Sequence, residues 1–303
     1  MQARPITNHE KKMTSHCRIG DWLQIYSFMM FWGLPLLVWL CIFFVIPLAF
    51  LVLISFWMVE NFQLSTTYTL QNWKAFFSTP YFLVGYLRTF AYALAAAVLI
   101  TALAFPFAYT LAFKVSAGTR RFATALLITP FFTSYLVRSY SWQIILANDG
   151  LVNAGLSQLG IGPVVMLNTP IATFIGYLTF AFPLITLLLL VSLTSIDFTL
   201  IEAGWNLGAG RLRSIVRVIV PSCRIGLIMS TAIAFIICFG DFVAPSVLGG
   251  GNPPTLSILI NDTVKSASNW PGASVIALIM IITLMVVVLV AFGFAFRSRK
   301  ESK

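Results

Sequence analysis

The chain has 303 residues, 59% of them hydrophobic and only 9% charged, with a mean hydropathy of +0.92. A soluble domain carries roughly a quarter charged residues, so a large soluble core is excluded and a polytopic membrane protein is expected. The net charge of +10 would suit nucleic acid, but the basic residues cluster in the manner of membrane topology, and no nucleic-acid partner is expected. Cys17, Cys41, Cys223 and Cys238 have no pair spacing, which supports neither a disulfide framework nor a zinc site. His9 and His16 are the only histidines, both in the polar N-terminal tail, which removes histidine-based catalysis and most transition-metal ligation.

Residues 1–21 are polar and basic, with Arg4, Lys11, Lys12 and Arg18. The apolar run 22–57 that follows is much longer than the ~20 residues needed to cross a ~30 Å hydrocarbon core. It reads as an interfacial helix at 22–31 and a first span at 34–57. Its length and its lack of a small-residue cleavage site argue against a cleavable signal peptide. Further apolar runs at about 86–113, 122–146, 171–193, 225–243 and 273–296 raise the expected number of spans to six. Pro106, Pro130 and Pro183 fall inside spans and mark kinks, tolerated where neighbours satisfy the freed carbonyls.

Lysine and arginine counts orient the chain. Four lie in the N-terminal tail, three follow span 2 (Lys114, Arg120, Arg121), four lie in and after 197–221 (Arg211, Arg213, Arg217, Arg224), and four lie in the C-terminal tail (Arg297, Arg299, Lys300, Lys303). The alternate loops hold Lys74 and Lys265. Both termini and the 197–221 stretch are therefore expected on the cytoplasmic face. The outer loops 58–85, 147–170 and 244–272 either dock an extracytoplasmic partner or serve as connectors, and the GGGNPP run at 249–254 must be irregular. The expected organisation is a tail with interfacial helix at 1–33, a six-helix membrane domain at 34–296 and a short tail at 297–303.

The polar island 197–221 sits between two long apolar runs. Asp197 is placed to cap a helix beginning at Phe198, Glu202 lies early in it, and Gly208 suits a left-handed stop. A second basic helix is expected at 210–218, with Pro221 opening span 5. On the residues alone, the island is either an amphipathic loop resting on anionic lipid or a docking element. Glu202-Ala203-Gly204, Gly208 four residues on, and Val218-Ile219-Val220-Pro221 resemble the EAA loop of ATP-binding cassette importer permeases. The departures at Gly204, Val218 and Val220 keep small or aliphatic character.

The resemblance extends over residues 34–296. Phe239-Gly240-Asp241-Phe242-Val243-Ala244-Pro245, Leu248-Gly249-Gly250, Asn269-Trp270-Pro271, Pro130-Phe131-Phe132-Thr133-Ser134 and Arg138-Ser139-Tyr140 are similar to motifs of the spermidine/putrescine-type permeases. Relatives handling ferric iron, opines or phosphonates share parts of them. The polar N-terminus is similar to the first of that group's two permease subunits. The resemblance implies an all-α membrane protein of the bacterial inner membrane, with six transmembrane helices and a cytoplasmic coupling helix. Glu202, Ala203, Gly204, Gly208 and Pro221 would couple it to an ATPase subunit present in two copies. A second permease, as a heterodimer, and an extracytoplasmic solute-binding protein would complete the machine. ATP and magnesium would be bound by the ATPase; this chain lacks a GxxxxGK[ST] phosphate loop and is expected to bind no cofactor and to be no enzyme.

Ionisable residues inside spans usually face an interior or a cavity. Asp241 is the only carboxylate in any expected span. It either attracts an ammonium group in the pathway, sits at a helix end in headgroup water, or pairs with Arg88 or Arg138. Arg88 is placed to snorkel to the interface, and Arg138 to gate or to pack against Asp241. Phe131, Phe132, Tyr135, Tyr140 and Trp142 form either cation–π walls for an amine or an interfacial belt. A polyamine importer permease is the expectation, with another small organic solute or ferric iron as the alternative cargo. A secondary transporter would show several midplane polar residues or paired broken helices, and neither is legible.

Overall fold

A computed structural model describes residues 33–60, 63–206, 210–266 and 268–297. The expected interfacial helix at 22–31, Gly208 and the residues beyond 297 lie outside these. The chain divides into two units, Met1–Ile54 and Ser55–Lys303. Among the described residues the first is essentially helix α1 (Gly33–Ser55), 23 residues long. It is exposed along nearly its whole length, as suits a helix that is apolar all round.

The second unit opens with a two-stranded hairpin, β1 (Met58–Glu60) against β2 (Gln63–Ser65), and a short helix α2 (Gln71–Ser78). Asn72 ties them together, its amide donating to the carbonyls of Ser55 and Trp57 at 3.3 and 2.7 Å. Helix α3 (Pro80–Phe113) starts with proline in its first turn and runs for 34 residues. At 1.5 Å per residue it is about 51 Å long, so it projects well beyond a hydrocarbon core. One face of α3 is a row of small residues: Gly85, Thr89, Ala93, Ala97, Ala104 and Ala108 are all buried. Small side chains let backbones approach, which is how helices associate where lipid is as apolar as leucine. Against that face pack α7 (Pro170–Thr194) and α10 (Arg224–Gly240). The approach of α10 to α7 is so close that a methyl group at Gly226 would overlap Ser192.

Four helices among the described residues are long and apolar enough to cross a membrane: α1, α3, α7 and α12 (Trp270–Arg297). The third expected span arrives in two pieces, α4 (Ala117–Ile128) and α5 (Tyr135–Ile145). They are separated by a single 3-10 turn at Thr129–Phe132 and an extended Thr133. Pro130 supplies no N–H, and the break satisfies itself locally: Thr133 bonds the Pro130 carbonyl through both its amide and its hydroxyl. The fifth span is also discontinuous. Helix α9 (Leu212–Ser222) continues through Pro221, contrary to the expectation that this proline opens the span, and α10 leaves it at a 75° bend around Cys223. The five-residue π turn Ile215–Ile219 precedes Pro221, and π turns and prolines are the usual causes of sharp kinks. At its other end α10 stops at Gly240, three residues short of the expected boundary, and a π turn at Ala244–Leu248 follows. Broken helices, illegible in the sequence, are therefore present.

The loops are more ordered than their composition suggests. Helix α6 (Leu151–Gln158) and helix α11 (Leu256–Lys265) lie within them. The glycine run stays irregular, with Gly250 and Gly251 at φ of +70° and +69°. Asn269-Trp270-Pro271 works as a helix start, the Asn269 side chain accepting the Gly272 N–H at 2.9 Å.

Candidate functional site

Two of the helix breaks meet. Asp241 is the extended residue directly after α10, and Tyr135 is the first residue of α5. The Tyr135 hydroxyl donates to Asp241 Oδ2 at 2.6 Å, a contact between residues 106 apart in sequence. The same carboxylate receives the backbone N–H groups of Val243 on Oδ1 at 3.0 Å and of Ala244 on Oδ2 at 3.2 Å. It thereby caps the π turn with the free donors that open any helical segment. Tyr177 and Cys238, both buried, lie within reach of its charge.

Two groups lie against the Tyr135 ring. Phe180 of α7 stacks on it at 4.5 Å between centroids, and the Arg138 guanidinium lies 5.9 Å from the ring centre. Arg138 has a second task that the sequence did not suggest. Pro183 has no N–H, so the carbonyl four residues earlier, that of Thr179, loses its helical partner. Arg138 Nη1 donates to that oxygen at 3.4 Å. Arg138 Nε is buried without an acceptor. Among the described residues no ion pair joins Asp241 to Arg88 or Arg138, one of the three alternatives the sequence left open, and Tyr135 is its side-chain partner instead.

Of the other aromatic candidates, Phe132 is 86% exposed and Phe131 and Tyr140 are exposed as well. Trp142 packs into a small apolar cluster with Leu146, Ala172 and Leu248. The structure brings together Tyr135, Arg138 and Asp241, and leaves the remaining four outside that group. Phe180 and Thr179 are the residues the sequence reading missed. An aromatic near a proline in an apolar run carries no local signal of a partner on another helix. An apolar groove of about 730 Å³ between α3, α10 and α12, lined by Tyr86, Phe90, Phe235, Thr283 and Phe294, contains none of the candidates.

In the polar island, Asp197 caps α8 (Phe198–Asn206): its Oδ1 accepts the Thr199 N–H at 3.0 Å, which holds the carboxyl below the usual carboxylate range. Ile201 is buried, as are Ser214 and Ile219 on α9, so the two helices stack through an apolar seam. Glu202 and Ala203 face outward, as does Pro221 on α9, and Arg213 and Arg217 are exposed too. Gly204 looks into the seam, where an added Cβ would meet Val218 at an ordinary 3.6 Å. The seam therefore has room for the alanine of the family pattern at this position.

No family model matches the chain. Curated relatives do. The spermidine/putrescine transport system permease protein PotB of Escherichia coli is 29% identical over 255 residues, covering 82% of this chain and 92% of that protein. Its counterpart in Haemophilus influenzae is 26% identical over 258 residues, covering 84% and 89%. The inner membrane ABC transporter permease protein YdcU of Escherichia coli is 27% identical over 262 residues, covering 81% and 80%. Among solved structures, a bacterial alginate ABC transporter in complex with alginate pentasaccharide-bound periplasmic protein matches with a TM-score of 0.69 at 18% identity, over 91% of this chain and 95% of that one. A second alginate-importing transporter matches at 0.64 and 20% identity, over 95% and 99%. The chain thus shares the fold of ATP-binding cassette transporter permeases and is similar over most of its length to spermidine/putrescine-type permease subunits, which are multi-pass membrane proteins and not themselves enzymes.

Proposed function

We propose that this permease carries polyamines, flexible alkyl chains bearing ammonium groups, along a pathway that passes Asp241. The single observation behind the reading is a membrane carboxylate set at a helix break, beside the stacked rings of Tyr135 and Phe180. A carboxylate supplies the counter-charge for an ammonium group, and ring faces accept both the cation and its methylenes. The names of the relatives support the same cargo. The exposed Glu202–Ala203 face of α8 is the surface we assign to the ATPase subunits, two copies of which hold ATP and magnesium. A second permease subunit and an extracytoplasmic binding protein complete the importer, with both termini of this chain cytoplasmic.

The test is Asp241→Asn in the assembled importer, reconstituted in vesicles. Loss of one charge-assisted contact lowers uptake of 1,4-diaminobutane about ten-fold, while a neutral solute delivered by the same system is affected less. Diamine uptake at the parent rate would refute the role of Asp241.

A further inference from the structure

We infer that Tyr135 is a positioning residue whose hydroxyl latches Asp241, joining the breaks in two spans until an incoming cation with N–H donors displaces it. The inference deepens the polyamine reading and rests on it for the nature of the displacing group.

Three observations converge. First, the Tyr135–Asp241 bond joins two points where the helical backbone is already interrupted, 129–134 and 241–242. Motion there disturbs no long α-helical ladder, and the Tyr135–Asp241 bond is the hydrogen bond that ties the two breaks, beside the apolar contact of Trp142 with Leu248. Second, Oδ2 of Asp241 already accepts the Tyr135 hydroxyl and the Ala244 N–H. A cation approaching that oxygen must take the place of one donor. The Ala244 N–H is fixed by the π turn; the hydroxyl is on a side chain that can leave. Third, the departing hydroxyl has somewhere to go. Arg138 follows Tyr135 by three residues on α5, lies against its ring, and carries a buried Nε–H with no acceptor. The phenol oxygen is an acceptor as well as a donor. Turned from Asp241 to Arg138, it satisfies that orphan group, whose burial without a partner is otherwise costly. Arg138 itself stays anchored on the Thr179 carbonyl freed by Pro183.

Cys238 reports the latch. It lies in the last turn of α10, three residues before Asp241, and is only 1% exposed. In the full chain with Cys17, Cys41 and Cys223 replaced by serine, Cys238 is the sole thiol. Methyl methanethiosulfonate, small and neutral, is then applied to membranes. Tyr135→Phe keeps the ring stacked on Phe180 and removes only the hydroxyl, and it raises the Cys238 labelling rate about ten-fold, as expected for loss of a hydrogen bond to a charged group. Labelling of Tyr135→Phe at the parent rate overturns the latch. In the parent, added 1,4-diaminobutane moves the rate toward that of Tyr135→Phe; no movement, with Tyr135→Phe still fast, overturns displacement by a cation and leaves the joint between the breaks standing. Asp241→Asn uptake is a separate readout, so failure of the polyamine reading and failure of the latch are distinct results. If the serine background lowers expression, the same rates are read on Cys238 by mass spectrometry in the otherwise unaltered chain.

Discussion

Gly176 is where the packing around the site can be tested most sharply. A Cβ added there would lie 2.5 Å from Ala244 Cβ, 2.9 Å from Leu248 Cδ1 and 3.4 Å from Ala244 Cα. Carbon atoms sit comfortably at about 3.5–4.0 Å, so Gly176→Ala must push the π turn and α7 apart by about 1 Å. Leu248 can turn its methyl away, but Ala244 has no rotamer to change and its backbone stands directly behind. Overpacking of this kind costs about 1–3 kcal/mol, and a contact with backbone belongs at the upper end. Alanine in a helix interior gains about 1 kcal/mol over glycine, leaving a net loss of about 2 kcal/mol. At roughly 2–4 °C per kcal/mol for a chain of this size, the melting midpoint of the purified protein in detergent falls by roughly 4–8 °C. The propensity gain makes the sign diagnostic. A midpoint equal to or above that of the parent would show that α7 and the Ala244–Leu248 turn are not in contact there.

Thr89 offers a second test in the same assay. It is 2% exposed, and its hydroxyl accepts the Leu256 N–H at 2.9 Å while donating to the Gly85 carbonyl at 2.7 Å. Thr89→Val leaves the first N–H of α11 buried without an acceptor and costs about 1–3 kcal/mol; Thr89→Ser retains most of the stability, and equal losses in both would refute the assignment. Gly204→Ala, by contrast, is expected to be accepted, since the new methyl meets Val218 and Ser214 at 3.6 and 3.9 Å. Helix α8 gains about 1 kcal/mol in propensity, and transport-coupled ATP hydrolysis by the assembled importer is retained. Loss of coupling would show that glycine itself is required.

Residue identity alone sufficed for much of the architecture. Transfer to lipid depends on each side chain separately, so runs of Leu, Ile, Val and Phe mark α1, α3, α7 and α12 wherever they pack. Caps are equally local: Asp197 reaches Thr199 two residues on, and Asn269 reaches Gly272 three residues on. The row of small residues on α3 was also present to be read, because its spacing of four residues, and once seven, is a helical face, but hydropathy does not distinguish a packed alanine from a lipid-facing one.

The breaks and the site belonged to the tertiary structure. A proline states only that one carbonyl has lost its partner. Whether the helix continues, as at Pro183, or stops, as at Pro130, depends on the surroundings: Arg138 from another helix answers the carbonyl that Pro183 frees, whereas after Pro130 the chain closes a 3-10 turn in which Thr133 bonds the Pro130 carbonyl. Asp241 stood out in the sequence as a lone membrane carboxylate, but its partner lies 106 residues away, beyond any local pattern. Sequence determined that a charge sits in the membrane and that a polar island outside it resembles a coupling loop. Only the fold decided that a tyrosine, and not an arginine, answers that charge, because lipid leaves each buried polar group to be satisfied by whatever the packing brings beside it.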